Sequence, residues 1–288
     1  MRVILGGVRG SSPRSQRGFV RFGGATSCVL VEQGPATRIV IDAGTGLGRL
    51  RHTLENSAAG HPVLMLFTHY HLDHVIGLPP FAPLYRPEWP IVFAAPEREG
   101  VTSEQALRRL TAAPFWPAAF RARQCHVVLP DVPGRAAFRH GPLRVRWCAV
   151  RHRNGCHAYR IDAPRSGESM ALVTDLEWAT SDASERAALL RLCGKPHPVD
   201  LLVMEGHGER SRFPGWGHST WRETVEVARA ANVRNLVITH HAPDDDDRRL
   251  ARRAREVRAA MPGARLGREG MTLSWGPGTP LTLTQSRA

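Results

Sequence analysis

Lysine is almost absent from this chain of 288 residues. Lys195 is the only lysine, so arginine supplies the other 38 of the 39 basic residues. Because Ala, Gly and Pro are also abundant, this skew is as consistent with genomic composition as with selection for a partner. The net charge of +13 is therefore weak evidence for nucleic-acid binding, although a basic surface does favour the approach of anionic substrates.

Paired cysteines are also lacking. No Cys-x-x-Cys motif occurs, and the odd number of cysteines argues against a disulfide framework. We expect reduced thiols that mostly lie in the core, with particular interest in Cys156 because it lies near His152. The five cysteines are Cys28, Cys125, Cys148, Cys156 and Cys193.

Long apolar runs and linkers are missing as well. No run approaches the roughly 18 apolar residues of a membrane span, and the apolar start of the chain is too short for a signal peptide. We therefore expect a soluble cytoplasmic protein without membrane association. No Gly/Ser-rich or Pro-rich linker divides the sequence, which favours a single domain over residues 1–288.

The most informative stretch follows an apolar run that is typical of a buried strand and ends at Phe67. The next seven residues are Thr-His-Tyr-His-Leu-Asp-His, and their metal-competent side chains are His69, His71, Asp73 and His74. Imidazole and carboxylate are the ligands that zinc and related metals prefer in hydrolytic sites. Alternation places the first two histidines on one side of the chain, and the other two residues come where it can turn back. One loop can thus serve two adjacent ions.

Hydrophobic periodicity predicts ten strands, four helices and a short helical turn at Val75–Leu78. The order of these elements favours an α/β fold in which two mixed β-sheets pack face to face with helices outside, an αββα sandwich. A further short strand is expected at Leu281–Thr284. The predicted strands are Val3–Leu5, Cys28–Val31, Arg38–Ile41, Val63–Phe67, Ile91–Ala94, Leu143–Val150, His157–Ile161, Met170–Thr174, Leu201–Met204 and Asn235–Ile238, and the predicted helices are Ser103–Leu110, Ser184–Leu192, Thr220–Ala230 and Asp247–Ala260.

His-x-His-x-Asp-His after an apolar strand resembles the metallo-β-lactamase-fold hydrolases. Later stretches match that superfamily's later motifs in order and rough spacing, and two earlier stretches resemble the opening of its phosphodiesterase and ribonuclease Z branch. The resemblance covers most of the chain. The later stretches are Arg151–Gly155, Val173–Asp175, Gly217–Thr220 and Val237–His240, and the earlier ones are Arg21–Cys28 and Ile41–Gly46.

This resemblance implies a site for two divalent metal ions in which three residues hold each ion and one carboxylate bridges them. Zinc is the expected metal, and the ligand types also suit manganese or iron. A water between two cations loses a proton easily and would become the nucleophilic hydroxide. The implied ligands are His69, His71 and His152 for the first ion, Asp73, His74 and His240 for the second, and Asp175 as the bridge, with a catalytic role for Asp73 as well.

Some of these assignments compete with simpler explanations. A lone histidine after a strand, such as His152, is often a surface or core residue. Its case depends on Gly155–Ile161, which resembles the family's Gly-x-x-Gly-Tyr-Arg-Ile strand, and His157 is the weaker ligand candidate. Asp175 ends a strand, where aspartate often forms a turn. An aspartate rather than a cysteine at this position argues against the antibiotic-hydrolysing branch.

Two further residues are assigned supporting roles. His240 and His241 are neighbours on an extended chain and point to opposite sides, so only one of them should face the metals. The last histidine of the resembled family directly follows its strand, as His240 does, and we therefore assign His240 to the metals and His241 to their surroundings. Asp42 also ends a strand. In similar proteins this aspartate supports the ligand loop by hydrogen bonds, and a simple turn former is the alternative.

The choice of reaction depends on Glu205 and His218. Both lie in stretches, Met204–Gly206 and Trp216–Thr220, that resemble ribonuclease Z-like phosphodiesterases in which a Glu and a His form a pair. An alkoxide leaving group needs a proton, which His218 would supply while Glu205 raises the pKa of its imidazolium. The simpler explanation for His218 is packing at a helix start, since Thr220 is a candidate N-cap.

The resemblance also bears on substrate size. Ribonuclease Z carries a protruding arm for transfer RNA between its third-histidine motif and its bridging aspartate. Here only 23 positions separate His152 from Asp175, which leaves no room for it. We therefore expect a small anionic phosphodiester such as a cyclic nucleotide, with nucleic acid less favoured. Related proteins are commonly homodimers, but no stretch of this sequence itself indicates one. The Pro79–Phe138 segment is expected to line the entrance, with Phe81, Tyr85, Phe115 and Trp116 as stacking, gating or ordinary core groups.

The sequence is also compatible with three other functions. Processing of transfer RNA 3′ ends would use the same chemistry on a larger substrate. A thioesterase or lactonase on the same fold would act on acyl groups and tolerate loss of His218. A non-catalytic metal-bound sensor would need fewer residues than the sequence supplies.

Overall fold

A computed structural model describes residues 1–55, 61–86, 89–117, 125–129, 137–208 and 217–285, with backbone only at 125–128. Trp216, Pro87, the Cys125 side chain and parts of the segment predicted to line the entrance lie outside the described residues. Across the described ranges, the chain forms two mixed β-sheets and six α-helices.

The first sheet has eight strands in the order β15-β14-β1-β2-β3-β4-β5-β6. Pairings from β3 to β6 are parallel and the others are antiparallel. Its strands are β1 (Arg2–Gly7), β2 (Cys28–Gln33), β3 (Thr37–Ile41), β4 (Val63–Leu66), β5 (Ile91–Pro96), β6 (Cys125–Leu129), β14 (Met271–Gly276) and β15 (Thr279–Gln285).

The second sheet has seven strands in the order β13-β12-β11-β10-β9-β8-β7. Pairings from β10 to β13 are parallel, and those from β7 to β10 are antiparallel. Its strands are β7 (Ala137–His140), β8 (Leu143–Val150), β9 (Cys156–Asp162), β10 (Ser169–Val173), β11 (Leu201–Glu205), β12 (Leu236–Thr239) and β13 (Ala264–Leu266).

The helices cover the outer faces of the two sheets. Those named α1 to α3 pack on the first sheet, and those named α4 to α6 pack on the second. No helix among the described residues is both long enough and apolar enough to cross a membrane. The helices are α1 (Leu47–Glu55), α2 (Leu72–Val75), α3 (Ser103–Leu110), α4 (Ala183–Gly194), α5 (Trp221–Ala230) and α6 (Asp247–Ala260).

Alternation along the strands builds this layered core. On β2, Val29 and Val31 face the second sheet, whereas Leu30 faces the helices. On β11, Val203 faces the first sheet, whereas Leu202 packs against the outer helices. Successive side chains of a strand point to opposite faces, so apolar runs such as these must be buried on both sides. The predicted αββα sandwich is therefore confirmed.

The structure differs from the predicted elements in several places. The short helix in this region is Leu72–Val75, within the histidine-rich motif, and not the predicted Val75–Leu78, because His71 already has the extended backbone of an N-cap. Asp73 and His74 therefore lie on a helix. Helix α1 and strands β6, β7, β13 and β14 were not predicted, and the predicted terminal strand lies within the longer β15.

A buried arginine joins the second sheet to α4. Arg160 is fully buried, its Nε donates to Oδ1 of Asp162 at 2.7 Å, and one terminal nitrogen donates to the carbonyls of Leu192, Lys195 and His197 at 2.9–3.0 Å. These carbonyls lie at and beyond the end of the helix, where backbone acceptors lack helical partners. The arginine thus fixes the end of α4 to the sheet.

Replacing Arg160 with Met should lower the free energy of unfolding by roughly 3 kcal/mol, because it leaves several buried carbonyls without a donor. Arg146→Met is a matched control. Arg146 also contacts Asp162 but is 23% exposed, so its loss should cost about 1 kcal/mol or less. Urea denaturation of the three proteins measures the difference, and equal losses would contradict the role assigned to Arg160.

Candidate metal centre

The ends of several strands bring the predicted ligands together at one edge of the sandwich. Strands β3 and β4, and likewise β10, β11 and β12, run parallel, so their carboxyl ends lie on the same side of each sheet. Functional groups of α/β proteins collect at such edges. Residues His69, His71, Asp73 and His74 follow β4, His152 follows β8, Asp175 follows β10, Glu205 ends β11, and His240 follows β12.

Asp175 lies at the centre of the cluster, and its two carboxylate oxygens face different imidazoles. Its Oδ2 lies 3.4 Å from Nε2 of His69 and 3.5 Å from Nε2 of His152. Its Oδ1 lies 3.3 Å from Nε2 of His74 and 3.1 Å from Nε2 of His240. The carboxylate is buried, and it separates the cluster into two sets that meet at Asp175.

Each set gains one more side chain. Nδ1 of His71 lies 3.1 Å from Nε2 of His152, which adds His71 to the first set. Oδ2 of Asp73 lies 3.2 Å from Nε2 of both His74 and His240, which adds Asp73 to the second. Within each set, one candidate ligand atom per residue lies within 4.8 Å of every other. The structure thus brings all seven predicted metal-binding residues into two adjacent groups.

Two glycines allow the backbone to approach the ligand rings closely. A Cβ at Gly10 would lie 2.4 Å from the ring of His240, and a Cβ at Gly217 would lie 2.1 Å from Nδ1 of His152. The Gly217 carbonyl accepts a hydrogen bond from that Nδ1 at 2.9 Å. Because Nδ1 then carries the proton, Nε2 keeps its lone pair and faces Asp175, as a metal ligand requires.

Asp42 supports both sets from behind. Its Oδ2 accepts from Nδ1 of His74 and from Oγ1 of Thr68, and its Oδ1 accepts from the Thr68 backbone N–H, each at 2.8 Å. Oγ1 of Thr68 lies 3.0 Å from Nδ1 of His69. Since the threonine hydroxyl already donates to Asp42, it accepts from His69. One carboxylate therefore orients two ligand rings, which is the supporting role predicted for this residue.

Three of these residues have unfavourable backbone conformations. The φ angles of Asp42, Asp175 and His240 are 60°, 48° and 54°. This left-handed region costs an ordinary residue about 1 kcal/mol or more. All three lie at the carboxyl ends of buried parallel strands, where the surrounding packing holds the backbone in place. The fold thus maintains strain at the positions that point side chains into the cluster.

The protonation of the cluster favours a cation. Burial lowers the pKa of His69 well below its ordinary value, and it lowers the pKa of His152 to about 4. Burial alone would raise the pKa of Asp175, but the imidazoles of His240, His74 and His69 hold it well below its usual range. Neutral imidazoles and ionised carboxylates are the forms that bind metals.

The pKa of His74 shifts in the opposite direction, because three carboxylates surround this residue. Burial would lower the pKa of His74, but the carboxylates of Asp73, Asp175 and Asp42 outweigh it and raise that pKa well above its ordinary value. The surplus of negative charge that attracts a proton here would equally attract a divalent cation.

A second, independent observation also indicates that these donor atoms fit a metal ion. Nε2 of His69 is buried and makes no hydrogen bond to any described residue, although it faces Oδ2 of Asp175. A buried polar atom without a partner is costly and calls for an explanation such as an ion. Imidazole nitrogens with carboxylate oxygens suit zinc, manganese and iron alike. These residues therefore fit the divalent metal that the sequence predicts.

His218 and Glu205 form a pair beside the cluster. Nδ1 of His218 donates to Oε2 of Glu205 at 3.0 Å, and the other carboxylate oxygen accepts from the backbone N–H of Leu176. Burial alone would lower the pKa of His218, but the Glu205 carboxylate raises it to about 9. The ring centroid of His218 lies 5.5 Å from that of His152 and 5.1 Å from that of His240. The pair therefore lies next to both ligand sets.

His207 was not predicted from the sequence. Its ring stacks on His218 with 4.2 Å between centroids and 8° between planes, and its Nδ1 lies 3.3 Å from Nδ1 of His240. Burial and the neighbouring imidazoles lower its pKa to about 2. His207 therefore restricts the His218 ring without adding a positive charge beside it. A sequence signal existed, because Glu205 and His207 are two residues apart and an extended chain places both on one side.

Three neighbouring residues lie outside these groups. His241 points to the opposite side from His240, where its Nε2 donates to the Gly267 carbonyl at 3.0 Å. His157 belongs to none of the candidate metal-binding groups among the described residues. The buried Cys156 thiol donates to the Thr174 carbonyl at 3.3 Å, and burial raises its pKa well above the ordinary value, so it is not an activated nucleophile.

Replacing Asp42 with Asn should weaken zinc binding roughly 10- to 100-fold, which is the usual cost of losing a carboxylate behind metal-binding histidines. The amide keeps only one acceptor oxygen, so its NH2 group must face either the Thr68 backbone N–H or the shared donors His74 and Thr68 Oγ1. Competition with a chromophoric chelator measures the affinity. Asp244→Asn, a change on the exposed surface, serves as the control, and an unchanged affinity in Asp42→Asn would contradict the supporting role.

Comparisons with known proteins agree with this geometry. A family model described as the beta-lactamase superfamily domain matches residues 37–241, a stretch that contains both ligand sets and the His218–Glu205 pair. A ribonuclease Z from Methanopyrus kandleri is 26% identical over 303 residues, with 93% of this chain and 95% of that protein covered. A ribonuclease BN from Cronobacter sakazakii is 29% identical over 125 residues, and this match covers only 42% of this chain and 38% of that protein.

A solved structure shares the whole architecture. The crystal structure of a diphosphatase from the PhnP family superposes with a TM-score of 0.69 at 18% identity, covering 96% of this chain and 98% of that one. At this identity the likeness concerns the fold. The family match and the site within it identify the chain as a member of the β-lactamase superfamily, a metal-dependent hydrolase with the metallo-β-lactamase fold.

Proposed function

We propose that this hydrolase cleaves a small phosphodiester, with two divalent cations held by the two ligand sets and with His218 as the general acid. The observation that carries the proposal is the His218–Glu205 hydrogen bond of 3.0 Å beside both sets. Hydrolysis of an ester or thioester with a good leaving group has little need of such an acid, whereas an alkoxide or ribose oxygen leaves poorly without a proton.

The ligand roles follow the division made by Asp175. One cation would be held by the set on its Oδ2 and the other by the set on its Oδ1, and zinc, manganese and iron all suit these donors. Bound there, divalent cations would neutralise phosphoryl charge and make water a nucleophile near neutral pH. The two sets are His69, His71 and His152, and Asp73, His74 and His240.

The chain's own residues would manage the proton. Nδ1 of His218 is engaged by Glu205, so Nε2 is the nitrogen that would donate to the leaving oxygen. The Glu205 carboxylate would keep the imidazolium charged until the bond breaks, and the stacked ring of His207 would hold its plane fixed. Asp73 would contribute from its place between His74 and His240. Its Oδ2 accepts a hydrogen bond from the backbone N–H of Ser11 at 2.8 Å, which fixes the carboxylate.

A small substrate is favoured over transfer RNA. The residues between His152 and Asp175 are occupied by β9, a turn and β10, so no protruding arm rises between these two ligands. The names of the relatives, two ribonucleases and a diphosphatase, point to phosphoryl chemistry. A cyclic nucleotide or a similar small phosphodiester fits both observations.

The proposal is tested with bis-(p-nitrophenyl) phosphate and manganese- or zinc-loaded protein, followed by cyclic nucleotides, linear dinucleotides and precursor transfer RNA. We expect hydrolysis of the first compound and of at least one small nucleotide. Cleavage of precursor transfer RNA at rates that match the small substrates would reverse the preference for a small substrate. Hydrolysis of thioesters or lactones without any phosphodiester turnover would refute the proposed reaction.

A further inference from the structure

A cavity of about 880 Å³ opens beside the first ligand set. His69 and His71 form part of its wall, so the cavity is continuous with the candidate metal centre. Most of the remaining wall is apolar and comes from α2, from α3 and from the residues that follow α3. The principal apolar side chains are Leu72, Val75, Ile76, Leu110, Phe115 and Trp116.

Several of these side chains are unusually exposed. Leu72, Ile76 and Phe115 are 62%, 42% and 83% exposed, and they are three of the six exposed large hydrophobic residues in the described part of the chain. A contiguous exposed apolar surface of this kind usually marks a binding site. Phe81, by contrast, is buried in the core beneath the first sheet. Tyr85 is partly exposed outside the cavity wall, and its hydroxyl donates to the Pro79 carbonyl at 2.7 Å.

The charge of the wall suits an anionic substrate. Besides the two imidazoles, the wall carries two guanidinium groups, Arg98 and Arg109, and one carboxylate, Glu99. Arg98 is buried and donates to the carbonyls of Thr68 and Pro96. Arg109 forms no ion pair with a described residue. An apolar wall with an excess of positive charge matches an ester that combines one negative charge with an apolar group.

The position of the cavity indicates which part of the substrate it receives. His218, which would protonate the leaving oxygen, does not belong to the wall, whereas His69 and His71 do. A phosphoryl group at the metal centre with its leaving oxygen towards His218 would direct its other ester group into the cavity. We infer that this cavity binds the ester group that stays on phosphorus, and that this group is aromatic or comparably large and apolar. The inference rests on the proposed phosphodiesterase function.

Two phosphodiesters with the same leaving group test the inference. Manganese-loaded protein is assayed with p-nitrophenyl phenyl phosphate and p-nitrophenyl methyl phosphate, and each kcat/KM is divided by the uncatalysed rate of that compound. Burial of an aromatic ring should favour the phenyl ester roughly 10- to 100-fold. The double variant Phe115→Ala with Ile76→Ala should lower this preference at least about 5-fold, because it removes two apolar contacts.

A filling variant and a matched control sharpen the test. Ala106→Phe places a ring inside the cavity from α3 and should also lower the phenyl preference. Leu283 is 43% exposed on β15, away from the cavity, and Leu283→Ala should leave the preference unchanged. Equal use of both esters by the unaltered protein, or a phenyl preference that survives both cavity changes, would overturn the inference and leave the phosphodiesterase function standing. Failure to hydrolyse either ester would overturn both.

Discussion

Replacing Asp175 with Asn should lower kcat/KM for bis-(p-nitrophenyl) phosphate roughly 10⁴-fold, because metal-ion catalysis contributes several kcal/mol to transition-state stabilisation. Each oxygen of this buried carboxylate faces two imidazoles, at distances of 3.1–3.5 Å. The amide keeps the shape but loses the negative charge and one acceptor. We expect metal content, measured by mass spectrometry on the same sample, to fall together with activity.

Asp182→Asn provides the matched control for this change. Asp182 caps α4 and is 58% exposed, and asparagine caps a helix equally well, so activity and metal content should stay the same. Circular dichroism and thermal unfolding establish that both variants are folded. If Asp175→Asn kept both its metal and its activity, the bridging role would be wrong.

Replacing His218 with Asn should have an effect that depends on the leaving group. For a phosphodiester with an alkyl or ribose leaving group, kcat/KM should fall roughly 10³-fold, within the usual range for loss of a general acid. For a p-nitrophenyl ester the loss should be less than about 10-fold, because p-nitrophenolate leaves without a proton. Glu205→Gln should show the same pattern with smaller losses, since the His218 imidazole remains but its pKa falls without the neighbouring carboxylate.

His52→Asn controls for the substitution itself, because His52 lies exposed on α1. It should leave both substrates unaffected. The slope of log kcat/KM against leaving-group pKa provides the measurement, and it should become steeper in His218→Asn than in the unaltered protein. An equal loss for good and poor leaving groups would assign His218 to packing or metal support and not to proton transfer.

Hydrophobic patterning sufficed to predict the sandwich because strands β2 to β5 and β9 to β12 are buried almost entirely on both faces. The hydrophobic pattern is weaker in several of the remaining strands and helices. On β7, for example, Ala137 and Arg139 are exposed, so alternation carries little information. The period of two in Met271–Gly276 was readable, since Met271 and Leu273 point inwards, and the helical spacing of α1 was hidden by the glycines at its start.

The clustering of the candidate metal-binding residues was predictable where a local motif brings several of them together. His69 to His74 lie within one short segment, and their convergence depends little on the rest of the fold. His207 could not be recognised in the same way, because its contacts are with His218 and His240, which are distant in sequence. The cavity beside the centre is also a tertiary property, since its wall combines α2, α3 and the chain around Phe115.

The number of divalent cations bound per chain tests the central claim most directly. Metal-free protein is loaded with zinc, passed through gel filtration and analysed by inductively coupled plasma mass spectrometry together with its protein concentration. Two ligand sets that meet at Asp175 predict a stoichiometry of two ions per chain. A single ion, or none retained by correctly folded protein, would contradict the account.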